Sequence, residues 1–252
     1  MNTDSAYNKK LASYYDSIYS GKDYVKESNF IKSFTGANQI KRILDVGCGT
    51  GKHLNCLLDD GVEEIVGVDL SYYMIEEANK KNNSNKIVFL NKDVADIEQK
   101  DFDLVISMFN VVNHIETLQN LQSFFSNIRN KMKKGATFIF DVWNGVAAIR
   151  SLPKKDVRTK ESESIGKIVL KYKPEIDLMN SKVKMKNSAE IFYIDEMVDS
   201  FNYELIHILW TPKVLSDLLN SSGFKIKKIL KSNSRTNATY EDYKILFVNE
   251  AV

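Results

Sequence analysis

The sequence predicts an α/β fold built on a mainly parallel sheet, with a smaller antiparallel β insertion near its middle. Three observations carry that prediction. From Arg42 onward, short apolar runs (Ile43 to Val46, Ile65 to Val68, Ile87 to Leu90, Leu104 to Met108, Thr137 to Phe140) alternate with helical stretches, which is the rhythm of βαβ units. After Asp141 the rhythm changes: SIGKIVLKYK, SKVKMKN, AEIFYIDE and NYELIHILW alternate apolar with charged residues, and no long helix separates them. Such runs read as antiparallel strands with one wet face. At 252 residues, the chain has room for one such domain with an insertion.

The elements follow in order. The first forty residues are rich in aromatics (Tyr7, Tyr14, Tyr15, Tyr19, Tyr24, Phe30, Phe34) at helical spacing, broken near Gly21, so two helices lie ahead of the sheet. The five parallel strands come next, then the insertion. Thr211 and Pro212 open a further helix, as N-cap and first-turn residue, and Gly223 closes it. Phe224 to Leu230 and Tyr243 to Val248 supply the last strands, joined by a polar loop at 232–242.

Composition narrows the function classes. With 35 basic and 33 acidic residues the formal charge is only +2, so no nucleic-acid or membrane partner is announced. Cys48 and Cys56 have no ligand-like histidine pattern around them, which suggests neither a disulfide framework nor zinc. A reducing cytoplasm is the expected setting. The N-terminal MNTDSAYNKK has no apolar h-region, and no run approaches the roughly 18 apolar residues of a membrane span.

The strongest motif is ILDVGCGTGKHL, where a strand ending at Asp45 runs into Gly47, Gly49 and Gly51 before a helix. Alternate glycines let the backbone turn sharply and approach a ligand where a Cβ would collide. The spacing D-x-G-x-G-x-G differs from the dinucleotide pattern G-x-G-x-x-G, and Asp45 would repel a diphosphate but accept from the α-amino group of a methionine moiety. A nicotinamide oxidoreductase is therefore disfavoured. In VGVDLS, Asp69 lies eighteen residues after Gly51 at the end of the second strand, placed to accept both ribose hydroxyls, with Leu70 and Met74 flanking adenine. Asp69 could equally cap the following helix, as could Ser71. In FLNKDVADI, Asp93 follows the third strand and can accept from the adenine amine while the Val94 amide faces the ring; alone this is common turn chemistry.

The fourth strand, FDLVISMFNVVNHI, carries Met108, Phe109, Asn110 and His114, and the fifth, FIFDVWN, brings Asp141, Trp143 and Asn144 to the same rim. Of the three histidines, His53 falls in the helix after the glycine turn and His207 in the insertion, which leaves His114 as the one near the expected reaction centre.

These windows together resemble class I S-adenosylmethionine-dependent methyltransferases, over roughly residues 40 to 145 plus the closing helix and hairpin. The resemblance implies a Rossmann-like, mainly parallel seven-stranded sheet whose last strand is antiparallel. It also implies S-adenosyl-L-methionine as methyl donor, with S-adenosyl-L-homocysteine as product, and no metal. YYDSIYSGKDY, MFNVVNHI and the insertion look more narrowly like the subgroup that methylates amino groups of nucleotide-linked deoxysugars. That match implies a cofactor lid carrying Tyr15, Tyr19 and Tyr24, and His114 as the group that handles the acceptor's proton. The donor set is then Asp45, Gly47, Cys48, Gly49, Gly51, Asp69, Leu70, Met74, Asp93, Val94 and Met108, with the lid tyrosines.

The division expected is a helical lid at 1–36, the methyltransferase domain at 37–144 and 210–252, and the β insertion at 145–209. A small-molecule acceptor would lie between that insertion and Asn110, His114, Trp143 and Asn144, with Arg150 and Arg158 gripping a phosphate. Alternatives stay open: O-methylation of a sugar or phosphorylated group in surface-polysaccharide assembly, a non-catalytic binding module, and an insertion that serves as a homodimer surface.

Overall fold

A computed structural model describes residues 6–35, 40–162 and 165–252. The expected boundary at 36–37 and the first five residues of the lid lie outside the described residues, as does Ser164 at the head of the first insertion run. Strands β1 (Arg42–Val46), β2 (Glu64–Val68), β3 (Ile87–Leu90), β4 (Phe102–Ser107), β5 (Met132–Trp143), β10 (Phe224–Lys231) and β11 (Lys244–Ala251) form one seven-stranded sheet in the order β10-β11-β5-β4-β1-β2-β3. β11 runs opposite to the other six strands. The chain leaves β3 at one edge and returns at β4 beside β1, so the order reverses between β1 and β4. Ligands of open α/β sheets bind outside the carboxyl ends at that reversal.

Helices cover both faces, which is why the inner strands are apolar nearly throughout. On one side Phe102, Phe125, Phe138, Phe140 and Phe247 form a buried aromatic core, each ring contributing about 1.5–3 kcal/mol of burial. On the other, Ile43, Ile65, Leu104 and Ile139 meet Leu54 and Ile75. Most helix starts carry a capping side chain: Asn8 for α1 (Lys9–Ile18), Asp23 for α2 (Tyr24–Lys32), Ser71 for α4 (Tyr72–Lys81), Thr117 for α5 (Leu118–Lys131) and Asn144 for α6 (Gly145–Arg150). Thr211 caps α7 (Pro212–Ser221) with Pro212 in its first turn, as the sequence predicts. The short α3 (Lys52–Leu57) starts instead at Gly51, in the left-handed region. Among the described residues, no helix is long and apolar enough to cross a membrane.

The insertion forms a four-stranded antiparallel meander of β6 (Asp156–Ser162), β7 (Gly166–Asp177), β8 (Lys182–Tyr193) and β9 (Glu196–Ile208). The partition differs from the predicted one. SKVKMKN and AEIFYIDE are a single strand, because Asn187 is flanked by Tyr172 and Tyr203 in the ladder and pairing overrides its turn preference. β6, DVRTKES, is a polar edge strand with no apolar alternation to announce it. Leu11 and Ile18 of α1 pack on Ile168, Leu170, Ala189 and Ile191, so the N-terminal helix is seated on the small sheet rather than lying free ahead of the large one.

Candidate active site

A cavity of about 720 Å³ opens at the carboxyl ends of the parallel strands, within the range of sites for small ligands. One side begins at the glycine turn. Gly47, Gly49 and Gly51 have φ of +79°, +54° and +78°, values that glycine reaches without the strain of a Cβ. Their surroundings differ. A Cβ on Gly47 would stand 2.5 Å from Val111 Cγ2, and one on Gly51 2.4 Å from the Phe89 ring, whereas one on Gly49 would meet nothing within 4 Å. Gly49 therefore leaves space in the cavity wall, while Gly47 and Gly51 are glycines because protein atoms press on them.

Asp69 holds that turn in place. Its carboxylate accepts from the Gly49 amide at 2.9 Å and the Ser71 amide at 2.8 Å, and Ser71 Oγ, not Asp69, caps α4. Beneath the turn, Asp45 is 1% exposed, and neither carboxylate oxygen has a hydrogen-bond partner among the described residues. Burial, then the nearby Asp69 charge, pushes its pKa well up. Asp93 Oδ1 accepts from the Ala95 amide, and Asp93 and Val94 both line the cavity.

The opposite side is organised by a strained turn. Phe109 and Asn110 are both left-handed, at φ +73° and +65°, a cost of order 1–3 kcal/mol each that the surroundings must offset. Asp141, fully buried, does so: Oδ1 accepts from the Asn110 amide at 2.7 Å and Oδ2 pairs with Lys244 Nζ at 2.6 Å. Asn113, also fully buried, accepts from the Trp143 amide at 2.8 Å and donates to the Ile208 carbonyl at 2.8 Å, which ties the 3₁₀ turn Val111–His114 to both β5 and β9. His114 then faces the cavity, its Nδ1 2.6 Å from the Ile206 carbonyl and its Nε2 3.1 Å from the Tyr7 hydroxyl. His207 lies alongside, with ring centroids 4.7 Å apart, and stacks on Trp143 at 4.1 Å and 6°. Burial holds both imidazoles below their ordinary pKa range.

Comparison with known proteins agrees with this geometry. Residues 43–135 match the family described as a methyltransferase domain. The chain carries a methyltransferase domain on the fold of class I S-adenosylmethionine-dependent methyltransferases. It is 28% identical over 208 residues to the uncharacterized protein MJ1252 of Methanocaldococcus jannaschii, covering 81% of this chain and 76% of that one. It is 27% identical over 137 residues to the dTDP-3-amino-3,4,6-trideoxy-alpha-D-glucopyranose N,N-dimethyltransferase of Streptomyces venezuelae, covering 52% of this chain and 56% of the relative. The fold superposes on a crystal structure of an S-adenosylmethionine-dependent methyltransferase from Clostridium acetobutylicum with a TM-score of 0.81 at 21% identity, covering 97% and 98% of the two chains.

The residues singled out in this methyltransferase's sequence fall into two groups. Tyr15, Gly47, Gly49, Asp69, Leu70, Met74, Asp93, Val94, Met108 and His114 line one cavity. The others do not. Cys48 is buried, its sulfur turned toward Gly67. Tyr19 packs between Tyr15 and Phe109, and Tyr24 lies edge-on to His53 at 4.9 Å, so these two lid tyrosines fill space behind the cavity wall. Trp143 is absent from the lining; its ring stacks on His207 and its amide donates to Asn113. Asn144 is a helix cap: Oδ1 accepts from the Val146 amide and Nδ2 donates to the Thr239 and Asp242 carbonyls, leaving nothing for an acceptor.

The two arginines correct the phosphate-grip expectation. Arg150 rests on the Tyr240 ring and Arg158 is paired with Asp156 at 2.7 Å over Tyr172, and neither lines the cavity. Tyr7, Asn113 and His207 also shape the site, and Asp141 has its partner in Lys244, with no motif to announce them. The aromatic clustering of the N-terminus was the available signal for Tyr7; nothing local marked His207, whose neighbours come from other segments.

Proposed function

We propose that this methyltransferase acts on the amino group of a nucleotide-linked sugar, with His114 handling the proton that the acceptor must lose. The observation that carries the reading is a neutral imidazole at the cavity wall, facing the donor side, with Nδ1 fixed on a main-chain carbonyl so that Nε2 is its basic atom. The likeness to the Streptomyces venezuelae sugar N,N-dimethyltransferase over half the chain supports the choice of acceptor.

The residues present fit the donor. Bound S-adenosylmethionine supplies an electrophilic methyl on a sulfonium sulfur. Asp69, with lone pairs left over after its two amide bonds, would accept the ribose hydroxyls, and Leu70 and Met74 would flank adenine, with Asp93 and Val94 at its edge. The space beside Gly49 would take the methionine moiety, and the unpartnered Asp45 suits its ammonium. Residues 1–36 would serve as the lid through Tyr15, and the insertion would act from behind His114, through the Ile206 carbonyl. The remaining contribution of the protein is to align the reacting atoms and exclude water.

Calorimetry with S-adenosylmethionine, S-adenosylhomocysteine and NAD, followed by turnover on a panel of nucleotide-linked amino and hydroxy sugars, tests this. Binding of the first two with methylation of an amino sugar is the expected result. Methylation of hydroxyls alone would move the assignment to O-methyl transfer, and binding without turnover of any acceptor would favour a non-catalytic module.

A further inference from the structure

Tyr7 joins the two sides of the cavity. Its carbonyl accepts from Ser71 Oγ at 2.8 Å, which anchors residue 7 to the cap of α4 beside Asp69. Its ring reaches across to His114, edge-on at 88° with centroids 5.9 Å apart. The hydrogen positions follow from the partners. The Ile206 carbonyl can only accept, so Nδ1 carries the imidazole hydrogen and Nε2 of the neutral ring can only accept. The Tyr7 hydroxyl therefore donates to Nε2 and turns only lone pairs toward the cavity.

The other titratable groups near His114 do not compete for Nε2. His207, from β9, is stacked on Trp143, and Glu116, two residues on, pairs with Lys182 at 3.1 Å. Burial pushes the Tyr7 hydroxyl far up and holds His114 down, so both are neutral near pH 7.

We infer that the Tyr7 hydroxyl, rather than the imidazole itself, meets the acceptor, and that it relays the acceptor's proton to His114 Nε2. This rests on the proposed role of His114. As the acceptor nitrogen's lone pair forms the C–N bond, the C–S bond breaks, leaving a thioether and an ammonium. One ammonium proton passes to Tyr7 Oη while the hydroxyl's own proton passes to Nε2. Tyr7 ends as it began, and the imidazolium, still bonded to the Ile206 carbonyl, later yields its proton to water. His114 is thus the base and Tyr7 the catalytic group that touches the substrate.

Tyr7→Phe keeps the ring and the main-chain bond to Ser71 and removes only the relay. Nitrogen-15 NMR of His114 with S-adenosylhomocysteine present needs no acceptor: loss of a donor to the neutral Nε2 should raise the histidine's pKa while Nδ1 stays protonated. An unchanged titration would mean that the hydrogen bond is absent, and would overturn the relay whether or not an acceptor is known. In turnover, Tyr7→Phe should lower kcat by roughly ten- to a hundredfold, with S-adenosylmethionine affinity within about twofold, in the range of acid-base contributions. Tyr7→Phe combined with His114→Gln should be no slower than the slower single variant, because the two act as a unit. Full kcat in Tyr7→Phe beside a crippled His114→Gln sinks the relay but leaves His114 as the base. Full kcat in His114→Gln sinks the reading on which the relay depends.

Discussion

Along the proposed donor rim, Gly47, Gly49, Asp69, Asp93 and Val94 come from three successive strand ends, and each strand needs only its neighbour to bring them together. The proposed acceptor rim instead joins residue 7 to residue 114, and residue 114 to residues 206 and 207. It is held by fully buried Asp141 and Asn113 rather than by backbone turns alone. A donor site common to many acceptors can be written into one local motif. An acceptor site that must be particular is assembled from segments that can vary independently.

Substitutions on the two rims should therefore fail in different ways. The largest effect is expected from Asp69→Ala, which removes charge-assisted hydrogen bonds worth about 1.5–3 kcal/mol each and frees the Gly49 and Ser71 amides. Calorimetry should show S-adenosylmethionine affinity down by more than a hundredfold. Unchanged affinity would mean that Asp69 only braces the turn, and the donor rim would need redrawing.

Asp141→Ala is its counterpart on the acceptor rim. It strands the Lys244 ammonium and the Asn110 amide, and breaking a buried pair costs about 3–5 kcal/mol. A denaturant titration should show that loss, and replacing Lys244 by Met in the same protein should recover part of it. A loss below about 1 kcal/mol would mean that the strained Phe109–Asn110 turn is supported elsewhere.

The back of the donor rim offers a pH test. Glu27 of α2 meets His53 of α3 at 2.6 Å and Lys22 at 2.7 Å. Burial raises its carboxyl's pKa, but the His53 hydrogen bond and the Lys22 charge outweigh that and hold it at about 2. A carboxyl depressed in the folded state adds stability above its unfolded pKa near 4.5. That stability, on the order of 3 kcal/mol for such a displacement, is lost as pH falls from about 4.5 toward 2. Glu27→Gln should flatten the fall of Tm across that window, and an unaltered slope would show that the cluster adds nothing to stability.

The smallest effects separate two glycines that look alike in sequence. Gly47→Ala should destabilise the fold by about 1–2 kcal/mol from its left-handed backbone, and further through the clash with Val111, three residues before His114. Gly49→Ala carries the same backbone strain but no clash, so its larger effect should be on S-adenosylmethionine affinity. Equal losses of Tm and affinity in both would erase the distinction.

How much could be read beforehand follows the same division. The parallel strands, the glycine turn, Asp69 and the Thr211 cap were legible because each rests on residues adjacent in the chain. Asn144, Arg150 and Arg158 had the right chemistry in the right region, but the structure occupies them with a helix cap, a tyrosine ring and an aspartate. Polar side chains advertise capacity, and only their neighbours decide whether it is already spent.

The sequence by itself determined the run of parallel strands and the glycine motif, since periodicity, glycine conformation and strand-end carboxylates are local properties. The tertiary structure alone decided that His207 lies against His114 and Trp143, that the Tyr7 hydroxyl meets His114 Nε2, and that Lys244 pairs with Asp141. Those pairings close loops of roughly 60 to 110 residues. The entropy of such closure varies only slowly with length and leaves no trace in local composition, so packing of the small sheet on α1 and the 3₁₀ turn selects the partners.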